Sequence, residues 1–121
     1  MKVAVYYNLH KHTFSLQSRN KEDYGRVIGH TEYVILKNVS YVVREAGHKK
    51  VLSEKKKNVH AFVVGEIVDE VGDDRGREQV VSYNPYNKAS FFYKDSGEEC
   101  SSSKYAVLRK GYNGKPIIGA Y

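Results

Sequence analysis

Val59-His60-Ala61-Phe62-Val63-Val64-Gly65-Glu66-Ile67-Val68 is the stretch on which the fold turns. Its near-continuous β-branched and apolar character marks a strand buried on both faces, and so a central position in a sheet. It follows a basic run, Lys55-Lys56-Lys57, with Asn58 and His60 at the join. On its N-terminal side, Arg44 to Lys57 loses β-branched density and mixes Ala46, Val51 and Leu52 with Glu, Lys and His. This mixture predicts a short helix docked through Ala46, Val51 and Val43. Gly47 costs such a helix about 1 kcal/mol relative to alanine, and Arg44 is a poor N-cap.

Working outward, strands are expected at Val3 to Tyr7, Thr13 to Leu16 and Tyr24 to His30. In the second, Phe14 and Leu16 alternate with outward-facing Thr13 and Ser15. The first two form a hairpin whose turn carries His10, Lys11 and His12. Gly25 and Gly29 permit a bulge in the third. Tyr33 to Val43 is strand-like but broken at Lys37-Asn38, giving one bent strand or two. Beyond the central strand, Asp69 to Glu78 reads as an exposed acidic hairpin connection returning into Val80 to Tyr83 as the partner strand. Ala89 to Lys94 and Lys104 to Arg109 suggest a further hairpin, and Ile117-Ile118 either docks or frays. The expected fold class is α+β, a single domain over residues 1–121, with a mainly antiparallel curved sheet and one covering helix.

Composition narrows the function classes. In 121 residues, 20 Lys and Arg against 14 Asp and Glu give a formal charge of +6, which favours anionic partners. The lone Cys100 excludes an internal disulfide and offers no metal spacing. No segment approaches the roughly 18 apolar residues of a membrane span, so no membrane association is expected. No cofactor is implied, and the oligomeric state is not encoded in any visible pattern. Eleven tyrosines without a tryptophan supply side chains suited to core or stacking surfaces.

Asn8-Leu9-His10-Lys11, Gly25-Arg26-Val27 with His30, Arg44-Glu45-Ala46-Gly47, Lys57-Asn58-Val59-His60-Ala61 and Tyr83-Asn84-Pro85-Tyr86 together resemble a widespread family of small tailed-bacteriophage proteins. The resemblance runs from about Val5 to about Phe91. It leaves the acidic insert and the C-terminal tail outside, and it departs at Gly47-His48, where an arginine is expected after the glycine. It implies a phage accessory protein made in the host cytoplasm, and brings no catalytic assignment.

Three chemistries fit the residues. His10 and His12 with His30 or His60 could ligate zinc, but no supporting cysteine or carboxylate pattern accompanies them, so no metal site is assigned. Metal-independent phosphodiester cleavage needs an acid, a base and a cation, for which His60, His30 and Lys57 are the candidates. Binding alone demands less. Lys11, Asn58, Tyr83, Asn84 and Lys88 could engage an anionic nucleotide or nucleic acid, helped by the Arg44 to Lys57 segment with six Lys or Arg against two Glu. The favoured expectation is an accessory protein binding such a ligand in host takeover or defence evasion. A phosphodiesterase acting on RNA or cyclic oligonucleotides and an inhibitor of a host protein are the alternatives.

Overall fold

The computed structural model describes residues 1–55, 59–72 and 78–121. Among them are nine strands and one helix: β1 (Lys2–Asn8), β2 (Thr13–Ser18), β3 (Val27–Thr31), β4 (Tyr33–Val43), α1 (Glu45–Glu54), β5 (Ala61–Val68), β6 (Gln79–Ser82), β7 (Phe92–Tyr93), β8 (Ser102–Lys110) and β9 (Pro116–Ala120). They form one antiparallel sheet in the order β3-β2-β1-β5-β4-β8-β9-β6-β7. The expected α+β class, with a curved antiparallel sheet and one helix, is what the chain adopts.

The sheet curls because one set of alternate side chains forms a common interior. Val3, Val5, Phe14, Leu16, Leu36, Val63 and Leu108 belong to a single buried cluster, although their strands span much of the sheet. A β-bulge in β4 supplies part of the bend. Asn38 takes a left-handed φ of 52°, and the register against β5 shifts between Lys37 and Ser40. Gly65 lies opposite: a methyl group there would be 2.8 Å from the Lys37 carbonyl oxygen, so only glycine admits this close approach. The expected break at Lys37-Asn38 is thus a bulge within one continuous strand. The bulge expected around Gly25 and Gly29 is also present, opposite Leu16 and Gln17.

Several pairings differ from expectation. β6 does not return against β5. It pairs with β9 and β7, because closing the interior requires Val81 to join the cluster from the far side of the curl. β7 and β8 form no hairpin either, since β8 lies between β4 and β9. Ile117 and Ile118 do not fray; they sit in β9, paired with β8. Ser15 does turn away from the interior, yet it is fully buried on the other face.

The helix is shorter than expected, ending at Glu54 with Lys55 in the left-handed conformation, and Arg44 makes no side-chain cap. Ala46 is exposed, whereas Val51 is buried and Val43 packs against the core as expected, joined by Gly47 and His48. Lys56, Lys57 and Asn58 lie outside the described residues, as do residues 73–77 of the acidic connection. No helix among the described residues is long and apolar enough to cross a membrane.

Cys100 is drawn inward rather than left in a polar loop. Its backbone N–H donates to the Phe91 carbonyl, and burial pushes its thiol pKa up. Burial also lifts Tyr41 well above the ordinary phenol range, and a hydrogen bond from the Tyr93 hydroxyl to Cys100 together with burial pushes Tyr93 up to about 12. The folded state therefore favours the neutral phenols. Their contribution is fully present below the ordinary phenol value of 10.0 and is lost as pH rises through the higher folded values. In a titration followed at 295 nm, Tyr41 and Tyr93 should ionise only above the ordinary phenol value of 10.0, as circular dichroism reports unfolding. Uniform ionisation of all the tyrosines near pH 10 with the fold intact would contradict this arrangement.

Candidate ligand cleft

His60 immediately precedes β5, and its position is set by the backbone around it. The Arg44 N–H donates to the His60 carbonyl at 2.6 Å, which fastens the start of α1 to the start of β5. Gly47 packs on His60 so closely that a methyl group there would lie 2.5 Å from the His60 Cβ. The glycine that looked like a cost to the helix is therefore what lets the helix dock.

From this point a ladder of rings crosses the interior. His48 stands 5.8 Å from His60, His60 5.4 Å from Tyr83, Tyr83 5.1 Å from Phe91, and Phe91 5.5 Å from Tyr41, centroid to centroid. His60 Nε2 and the Tyr83 hydroxyl share a 2.7 Å hydrogen bond. Burial raises the Tyr83 pKa, so the phenol stays protonated and donates to Nε2 when that nitrogen carries no proton. The His48 Nε2–H donates to the Pro85 carbonyl at 3.0 Å. Helix, central strand and the Tyr83-Asn84-Pro85-Tyr86 turn are thereby joined through three motifs far apart in sequence.

His60, Tyr83 and Phe91 of this ladder line a cleft of about 660 Å³. Tyr83 and Phe91 face Val5, Tyr7 and Phe14 of the distant strands β1 and β2, and the Tyr7 hydroxyl donates to the Gly114 carbonyl at 3.3 Å across the gap. No Lys, Arg, Asp or Glu is among the described lining residues; the polar side chains are Asn8, His10, His60, Ser82 and the tyrosines. Such a cavity suits a planar, largely apolar group held by a few hydrogen bonds. Exposed Lys11 stands next to the lining residue His10.

The expected site residues separate accordingly. His60 and Tyr83 come together. His30 does not join them: it is the register partner of Ser15, itself opposite Tyr6, and so shares the face on which Tyr6 meets Phe62. Its Nδ1 is 2.9 Å from the Ser15 hydroxyl, which also accepts from the Asn8 amide. The period of two that turns Phe14 inward turns Ser15 and His30 the other way, and His30 is not among the residues that line the cleft. Asn84 is a turn residue, its Oδ1 accepting from the Tyr86 N–H. Lys88 is held away from the cleft, donating to the Gly97 carbonyl with its ammonium 5.1 Å from the centre of the Phe92 ring. Lys57 and Asn58 lie outside the described residues.

The sequence reading missed Tyr7 and Phe14 as cleft walls. Their alternation signals an inward face but not that this face remains open at one end. His48 also went unassigned, because nothing local shows that it meets Pro85.

A family model described as the Mycobacterium phage L5 gene 82 protein matches residues 1–113. The gene 82 protein of Mycobacterium phage L5 is 35% identical over 102 residues, covering 79% of this chain and 80% of that protein. No solved structure matches. The family match is wider than the span from Val5 to Phe91, taking in the acidic connection and most of the C-terminal strands. The chain therefore belongs to the phage family typified by the L5 gene 82 protein.

Proposed function

We propose that this phage accessory protein binds a nucleotide ligand, taking the base into the aromatic cleft and leaving the anionic part at the basic rim, in host takeover or defence evasion. The observation that carries the reading is a cleft with aromatic walls and, among the described residues, no Lys, Arg, Asp or Glu in its lining, bordered by Lys11 and His10. A base stacks on any aromatic ring, whereas a phosphate left in an apolar interior without a cation costs heavily. The overall charge of +6 draws such a ligand towards the protein.

Binding is favoured over turnover. The hydrolytic alternative needed His30 and His60 as a pair, whereas His30 bonds Ser15 and is not among the residues that line the cleft. The inhibitor alternative is an outcome of the same experiment. The protein is titrated in chelator with nucleoside monophosphates and short oligonucleotides, with calorimetry for binding and chromatography for turnover. Tyr83→Leu, checked for folding by circular dichroism, is expected to weaken binding about tenfold by removing one stacking surface. Tyr83→Phe keeps the ring and should stay within about threefold of the parent. Absence of nucleotide binding at millimolar concentration, or a Tyr83→Leu protein that binds as well as the parent, refutes the reading. Specific capture of a host protein without nucleotide binding would replace it with the inhibitor function.

A further inference from the structure

Three turns border the cleft: Asn8-Leu9-His10-Lys11-His12, Asn84-Pro85-Tyr86-Asn87-Lys88 and Gly111-Tyr112-Asn113-Gly114-Lys115. Leu9, His10 and Pro85 line it directly, while the third turn is tied to the cleft by the Tyr7 hydroxyl and runs into Pro116, another lining residue. Each turn presents one large apolar side chain to solvent, Leu9 at 50%, Tyr86 at 67% and Tyr112 fully exposed. Each carries one lysine, that of the second turn, Lys88, being held away from the cleft by the Gly97 carbonyl, and none carries a carboxylate.

Each turn is also closed by its own asparagine. Asn8 Oδ1 accepts from the His10 and Lys11 N–H groups, Asn84 Oδ1 from that of Tyr86, and Asn113 Oδ1 from that of Lys115. Tyr86 and Tyr112 thus stand exposed on turns closed by their own asparagines. A ligand confined to the cleft would leave this rim unused.

We propose that the rim docks single-stranded nucleic acid, with one base inserted in the cleft, neighbouring bases stacked on Tyr86 and Tyr112, and backbone phosphates beside Lys11 and Lys115. This rests on the nucleotide reading of the cleft and names its ligand class. Exposed aromatic platforms alternating with cations are what a sequence-tolerant single-strand site requires, because every base has a stacking face and every linkage a negative charge. The absence of acidic residues from all three turns supplies the charge complementarity. Duplex DNA is disfavoured, since its bases are not available to enter the cleft.

Fluorescence anisotropy with single strands of about six nucleotides, a duplex of the same sequence, and calorimetry with a mononucleotide test the proposal. Tyr112→Ala and Tyr86→Ala should each weaken single-strand binding about tenfold and leave mononucleotide binding within about twofold. Lys11→Gln and Lys115→Gln should each lower the salt dependence of single-strand binding by about 0.7 in log–log slope. Tyr33→Ala removes an exposed tyrosine that does not line this cleft, and should change neither. Single strands that bind no more tightly than the mononucleotide, that ignore both tyrosine substitutions, or that lose to the duplex overturn the proposal. If mononucleotide binding still depends on Tyr83, the cleft reading survives that result. Loss of all nucleotide binding removes both.

Discussion

Gly47→Ala is expected to destabilise the protein by about 2 kcal/mol, although the same exchange in an unencumbered helix gains about 1 kcal/mol. The sign is reversed by packing. The added methyl would lie 2.5 Å from the His60 Cβ, an atom fixed close to the backbone and unable to swing aside. Either the helix lifts, straining the His48 bond to Pro85, or His60 shifts and strains its bond to Tyr83. At about 4 °C per kcal/mol for a chain of this size, the melting temperature should fall by about 8 °C. The loss should be accompanied by weaker ligand binding, because the displaced groups hold the cleft wall. A melting temperature equal to or above that of the parent would show that the helix is not anchored through this contact.

Phe14→Ala is expected to cost more, about 3–5 kcal/mol. Phe14 is 1% exposed, sits at the heart of the common interior, and meets Tyr7 edge to face at 5.3 Å. Removing the ring withdraws its burial and its aromatic contact. It also enlarges a space already open to the cleft, so water rather than side chains would fill it. Thermal unfolding should shift down by more than about 10 °C. A loss below about 1 kcal/mol would mean that β2 contributes little to closing the curl, contrary to its place in the cluster.

The two substitutions mark different degrees of legibility. Phe14 was recognisable as a core residue because alternation with a period of two is a property of the local chain, and its neighbour Leu16 repeats the signal. Gly47 was legible only as a defect. Its reason lies in His60, thirteen positions along, and helix propensity contains no information about that contact. Tyr83 and His60 could be singled out as residue types suited to ligand chemistry, but their partnership required the turn after β6 to come beneath α1. His30 had the same chemical suitability, but its register puts it on Ser15 and not among the residues that line the cleft.

The sequence by itself determined the α+β class, most of the strands, the central place of β5 and the bend at Lys37-Asn38. These follow from side-chain periodicity, β-branched enrichment and local breaks, which act over a few residues. Tertiary structure alone decided that β6 joins β9 instead of β5, that Cys100 is buried, and that three separated turns border one cleft. Those outcomes depend on which distant faces exclude water together, and strand pairing across a curl is chosen by the burial of the whole interior rather than by the preference of any one segment.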